Sequence, residues 1–241
     1  MKFTIFSASR LALVALVTAQ FSDLSLAHPT VEKRGPPIVM GLAKTYGAIA
    51  ATTLTSTGAT LITGDCGACP GTAITGFPPC TGVTVARGTA ACDAEAACLS
   101  AYTNAQAMTP TIALSVPDLG GLTLVPGAYT FPTSAVTLTG ILTLNGASNA
   151  NGQFIFLITT TFGAMGASQV KLINGAQAGN VYFIVGSSAT VGAAAALQGN
   201  ILAYTSISVS SEASNKGTFC ALNGGVTLID NALTAQPTGT T

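Results

Sequence analysis

Asn180-Val181-Tyr182-Phe183-Ile184-Val185-Gly186-Ser187-Ser188-Ala189-Thr190-Val191 and, a little further along the chain, Gly199-Asn200-Ile201-Leu202-Ala203-Tyr204-Thr205-Ser206-Ile207-Ser208-Val209 are two copies of one pattern. An apolar run is followed by a small or polar step, and then by a short strand in which polar and apolar residues alternate. A third copy runs from Thr218 to Leu228 and an earlier one from Phe154 to Ala164. Self-similarity at this spacing marks a solenoid, in which no coil buries its apolar side chains until neighbours stack on it. Each copy holds two strands and a more polar third segment, such as Ser214-Asn215-Lys216-Gly217, which together make the sides of a three-sided coil. From Leu122 onward almost nothing has a helical period, so the expected fold is mostly β, a three-sided β-solenoid.

Side chains on a strand point alternately to its two faces. In the first strand of each copy this places Phe156, Ile158, Phe183, Val185, Ile201, Ala203, Cys220 and Leu222 inside the coil. Ile155, Leu157, Tyr182, Ile184, Leu202, Tyr204, Phe219 and Ala221 then face outward. Both sets are apolar, and an outward apolar patch of that size needs a cover. The periodicity predicts one helix, Ala90 to Met108, with Ala94, Ala97, Cys98, Ala101, Ala105 and Met108 on one stripe. It is the candidate cover, packed along one face. Asp93 and Glu95 fall in its expected first turn, where the helix dipole favours acidic groups, and residues two apart on a helix do not form a facing pair.

The second strand of each copy has the pattern outward, inward, outward: Thr53-Leu54-Thr55, Ala135-Val136-Thr137, Thr161-Phe162-Gly163, Ser188-Ala189-Thr190, Ser206-Ile207-Ser208 and Gly225-Val226-Thr227. Every outward member is Thr, Ser, Ala or Gly. With coils about 4.8 Å apart and outward residues about 6.7 Å apart along a strand, these side chains form a flat, uncharged grid of methyls and hydroxyls. Exposed strands normally carry Lys and Glu, and this one carries none. The candidate binding residues are therefore Thr53, Thr55, Thr137, Thr161, Ser188, Thr190, Ser206, Ser208 and Thr227.

Composition removes several alternatives. Only 7% of the 241 residues are charged, against about 25% in an ordinary soluble domain, and eight Lys+Arg balance eight Asp+Glu. A chain of zero formal charge has no electrostatic basis for binding nucleic acid or an anionic membrane. The mean hydropathy of +0.58 leaves ample material for a core. The single histidine, His28, lies in the N-terminal leader. Beyond residue 108 the charged residues are Asp118, Lys171, Glu212, Lys216 and Asp230, scattered singly, which is too little for the clustered carboxylates of a polysaccharide-cleaving solenoid enzyme. No catalytic group, metal site or cofactor site is expected, and a structural or adhesive surface protein is the competing class.

The N-terminus resembles a secretory leader: Lys2 and Arg10, an apolar run from Leu11 to Ala19 too short to span a bilayer, and small residues at Ser25-Leu26-Ala27. We expect 1–27 as signal peptide, 28–34 as a short pro-segment ending at Lys33-Arg34, and 35–241 as a single extracellular domain acting as a monomer. Six cysteines, Cys66, Cys69, Cys80, Cys92, Cys98 and Cys220, are an even set in a secreted chain and favour disulfides, with the connectivity open. Cys66-Gly67-Ala68-Cys69 lacks the second pair or histidines that a zinc site needs.

Gly41-Leu42-Ala43, Thr53-Leu54-Thr55-Ser56-Thr57-Gly58, Ile62-Thr63-Gly64-Asp65, the stretch from Pro70 to Pro79, the stretch from Asp118 to Tyr129 and Gly186-Ser187-Ser188-Ala189-Thr190 resemble the ice-binding (antifreeze) proteins of cold-adapted fungi and bacteria. The resemblance covers nearly all of the chain after the leader. It implies a right-handed, discontinuous β-solenoid whose N-terminal coil packs beside the C-terminal ones, a helix along one face, and ice adsorption on another flat face. It implies ice as the partner and no catalytic residues. N-terminal sequencing of the secreted protein is expected to find Gly35 first, and a chain that retained His28 would refute cleavage after the dibasic pair.

Overall fold

The computed structural model describes residues 36–76 and 80–236, all within one compact unit, Arg34–Thr241. The expected leader and its Lys33-Arg34 junction lie outside the described residues. Successive passes of the chain follow one circuit. Val181–Val185, Ala189–Val191 and Ala196–Gln198 make one coil. Asn200–Ala203, Ile207–Val209 and Ser214–Lys216 make the next, and Phe219–Ala221, Val226–Ile229 and Ala232–Thr234 the one after. Each strand pairs in parallel with its counterpart one coil away. Strands thus collect into three parallel sheets of nine, seven and seven strands, called here the first, second and third in the order the coil visits them.

The coils do not stack in chain order. Tyr46–Ala50 lies beside Phe219–Ala221, Thr53–Thr57 beside Val226–Ile229, and Leu61–Thr63 beside Ala232–Thr234. The N-terminal coil therefore extends the C-terminal end of the stack, as the resemblance implied. Asp65–Ala68 and Thr84–Ala86 continue the first sheet beyond it. From that edge the chain must reach Ile112–Ala113 at the opposite edge of the same nine-stranded sheet. Helix α1, Thr89–Gln106, carries it there: its 18 residues advance roughly 27 Å of the roughly 38 Å between edge strands.

The first sheet is apolar on both faces. Phe154, Phe156, Ile158, Phe183, Val185, Ile201, Ala203, Phe219 and Ala221 belong to the solenoid interior, where Tyr129, Phe156 and Phe183 stack at centroid spacings of 5.4 and 4.9 Å. Ile49, Ile155, Tyr182, Ile184, Leu202, Cys220 and Leu222 form a second cluster with Ala94, Cys98, Ala101 and Ala105 of α1. The helix is the cover. Two details correct the sequence reading. Phe219 and Ala221 point inward while Cys220 and Leu222 face α1, because Ile201 pairs with Phe219 and a one-residue slip in aligning the last copy inverts every face assignment. Tyr204 is exposed at the rim, its ring 6.1 Å from that of Tyr102 on the flank of α1.

Three disulfides close the N-terminal region and the helix onto this frame: Cys66–Cys80, Cys69–Cys92 and Cys98–Cys220. The last spans 122 residues of sequence and ties α1 to the sheet it covers, the kind of long loop whose closure most restricts an unfolded chain. At the other end of the helix-covered face, Gln153 grips Ile38 in both directions: the Ile38 N–H donates to Oε1 at 2.9 Å and Nε2 donates to the Ile38 carbonyl at 2.6 Å. The buried Tyr182 hydroxyl donates to the same carbonyl at 3.1 Å.

The helix begins after Gly88, so its first turn holds no acidic residue. Asp93 is exposed beyond that turn, and Glu95 is further in, which corrects the expected dipole-capping role. Both carboxylate oxygens of Glu95 are buried with no hydrogen-bond partner. Burial pushes its carboxyl up to about 8, because the charged form loses hydration without recompense.

Two stability measurements follow from this packing. Ala101 is 1% exposed on the face of α1 that packs on the first sheet, so Ala101→Glu should lower stability by roughly 1–3 kcal/mol in thermal or denaturant melts, and an unchanged midpoint would refute the packing. For Glu95 the folded state favours the protonated form. Its stability is complete below the ordinary value of 4.5 and is lost as pH climbs through about 8, by roughly 2–4 kcal/mol. Glu95→Gln should therefore raise the melting temperature at pH 9 and leave it nearly unchanged at pH 4.

Candidate functional site

The second sheet is the flat face that the alternating strands anticipate. Its order is Val136–Leu138, Phe162–Ala164, Ala189–Val191, Ile207–Val209, Val226–Ile229, Thr53–Thr57 and Ala73–Thr75, all parallel. Val136, Phe162, Ala189, Ile207, Val226 and Leu54 are buried in the solenoid interior. By alternation the residues between them stand outward. Register places Thr137, Gly163, Thr190, Ser208, Thr227, Thr55 and Thr75 in one continuous row across the sheet. Six inter-strand steps make that row roughly 29 Å long.

A parallel row precedes it by two residues: Ala135, Thr161, Ser188, Ser206, Gly225, Thr53 and Ala73. It is stitched by backbone bonds, Val136 N–H to the Thr161 carbonyl, Phe162 to Ser188, Ala189 to Ser206 and Ile207 to Gly225. In this row Ser188 and Ser206 turn their hydroxyls back to the next coil, accepting from the N–H groups of Ser206 at 3.4 Å and Gly225 at 3.3 Å. At Gly225 an added Cβ would lie 2.6 Å from the Thr53 hydroxyl oxygen, so the missing side chain makes room for Thr53 at the seam between the last coil and the first.

Of the sequence-predicted residues, Thr53, Thr161, Thr190, Ser208 and Thr227 are exposed, and Thr55, Thr137, Ser188 and Ser206 are half-buried. All are on this sheet or at the start of its strands. Sequence reasoning missed Thr75, which is exposed and in register beside Thr55. Ala73-Ile74-Thr75 carries the same outward, inward, outward signal. No Lys, Arg, Asp or Glu stands among the outward residues of these strands. Charge is confined to the rim. Asp118 lies at the edge beside Thr137, and burial disfavours its ionised form. Hydrogen bonds from Thr139, Gly120 and Thr137 outweigh that and hold its carboxyl below the ordinary range. Asp230 accepts the Ala59 N–H at the far corner.

The other two faces differ in kind. The first sheet lies under α1. The third presents Gln169, Lys171, Gln198 and Lys216 over a shallow groove. Asn215, which the sequence reading places in the polar third segment of its coil, is 1% exposed. Its register partners are Leu197 and Leu233, both inward, and its Nδ2 donates to the Gly199 carbonyl at 3.0 Å. Ser214 and Lys216 are the outward members of that strand by alternation.

Comparison with known proteins points in one direction. The family model described as ice-binding-like matches residues 48–234. An ice-binding protein of Nostoc sp. (strain HG1) is 39% identical over 206 residues, covering 83% of this chain and 76% of the relative. The crystal structure of an ice-binding protein from the Antarctic ascomycete Antarctomyces psychrotrophicus matches with a TM-score of 0.79 at 37% identity, over 84% of this chain and 100% of that one. A further ice-binding protein, from an Antarctic biological consortium, matches with a TM-score of 0.79 at 34% identity, over 83% and 91% of the two chains.

Proposed function

The chain belongs to the ice-binding-like family, and from that premise we propose that it is a secreted, non-enzymatic ice-binding protein that adsorbs to ice through the second sheet. The observation that carries the reading is the in-register row from Thr137 to Thr75, about as wide as the sheet and free of charge. Ice presents a rigid array of oxygens. A surface adsorbs to it by holding first-shell water in a comparable array and by losing little freedom in doing so. Threonine methyls restrict that water and their hydroxyls anchor it, while the stacked ladder keeps both at fixed spacing. A charged group would impose its own hydration geometry, which accounts for a face built from Thr, Ser, Ala and Gly. Three disulfides suit an oxidising, extracellular compartment.

Each such contact is weak, so affinity comes from many positions at once, and one bulky intrusion should harm more than one lost hydroxyl. Thr190→Tyr and Ser208→Tyr should each remove most ice-growth inhibition and most partitioning into a growing ice front, with melting temperature shifted by no more than about 2 °C. Lys216→Tyr on the third sheet is the matched control and should behave as the wild type. Loss of activity in Lys216→Tyr with retention in Thr190→Tyr would put the active face on the third sheet.

A further inference from the structure

Gly163 is the one gap in the row Thr137, Gly163, Thr190, Ser208, Thr227, Thr55, Thr75, where every other position carries a hydroxyl-bearing side chain. The gap is not empty. A Cβ built on Gly163 would lie 3.2 Å from the Cε methyl of Met165, the nearest atom outside its own chain neighbours. Phe162 and Ala164, on either side of Gly163, are buried in the interior, so the Cβ direction at 163 is outward and the methionine methyl sits on the outer surface. Met165 itself is 43% exposed. Its backbone is held on both sides. The Met165 N–H donates to the Leu138 carbonyl at 2.9 Å, and Gly192 passes so close that a Cβ there would lie 2.8 Å from the Met165 carbonyl carbon.

We propose that Met165 is a member of the binding surface: its side chain folds back so that its methyl fills the notch at Gly163 and completes the row between Thr137 and Thr190. The assignment rests on the ice-binding reading of the second sheet. A threonine at 163 would contribute a methyl at nearly the same place, so a flexible thioether from two residues downstream substitutes for it. An unfilled notch would hold water in an arrangement that the rest of the row does not share. A thioether in that position also makes the surface oxidisable. With a peroxide, the sulfur forms one S–O bond and is oxidised by two electrons, while the O–O bond breaks and the peroxide is reduced to water. The sulfoxide oxygen would then project a strong acceptor into a face otherwise lined by methyls and hydroxyls. Met40 is buried and Met108 is half-buried against the helix-covered cluster, so among the described methionines Met165 is the accessible one.

The test uses the full secreted protein and reads ice-growth inhibition beside circular dichroism and melting temperature. Met165→Ala should lower inhibition by about two- to threefold with the fold intact, and adding Gly163→Thr in that background should restore it. Hydrogen peroxide should lower the activity of the wild type and leave Met165→Leu, treated identically, at its untreated level. Full activity in Met165→Ala, no rescue by Gly163→Thr, or equal peroxide sensitivity in Met165→Leu would each overturn the assignment. Untreated wild type that failed to enter growing ice would instead overturn the ice-binding reading on which the assignment depends.

Discussion

Parallel register is the constraint on which the rest of this structure depends. Each residue lies opposite its counterpart one coil away, as Phe183 does opposite Phe156 and Ile201, so a side chain's face is inherited from the coil beneath it. The pleat then separates interior from exterior at every step. An interior stack such as Tyr129, Phe156 and Phe183 and an exterior row such as Thr190, Ser208 and Thr227 are consequences of one geometry. Corners are satisfied by asparagine. Asn200 donates to the Gly179 and Val181 carbonyls, Asn215 to Gly199, and Asn231 to Ser210. These bonds give buried carbonyls at the bends the partners that a strand ladder supplies elsewhere.

The same ladder creates a problem that α1 resolves. A sheet apolar on both faces cannot face water on one of them, and the first sheet is lined on its outer side by Ile155, Tyr182, Ile184 and Leu202. Because the N-terminal coil joins the C-terminal end of the stack, the chain has to traverse that very sheet to begin the remaining coils. Connection and cover are therefore one element. Its alanines allow close approach, and Cys98–Cys220 holds it there. The cost is visible at Glu95, whose carboxyl is enclosed without a partner.

How much of this was legible in the sequence depended on whether a signal was local. The out-in-out strands carry their assignment within three residues, so Thr53, Thr161, Thr190, Ser208 and Thr227 were readable and are exposed. The helix was readable from its alanine stripe to within two residues at its C-terminal end. Cys220 and Asn215 were not, because their faces depend on the length of the corner before them. Gly217, with φ of 144°, bends the chain before Cys220, and Glu212, with φ of 62°, bends it before Asn215, and no periodicity announces either. The cysteine pairing was hidden for a related reason. Cys98 meets Cys220 only because of a stacking order that runs against the order of the chain. Thr75 was overlooked although its pattern is local, since its strand belongs to the N-terminal extension and not to the repeated copies.

The discontinuity also bears on the flat face itself. Between Thr227 and Thr55 the row crosses from the last coil to the first, two segments far apart in sequence, yet it continues in register. Gly225 yields space to Thr53 at that seam, and four paired residues from Leu54 to Thr57 hold it. A row interrupted at this point would be two shorter rows, and under the proposed adsorption to ice, where each contact is weak, the longer row would bind more firmly. The width of the face therefore depends on docking of the N-terminal coil, whose Tyr46 and Ile49 lie in the cluster under α1. Side chains on the covered face thus help to set the continuity of a surface on the neighbouring side of the coil, by fixing where the first coil sits against the last.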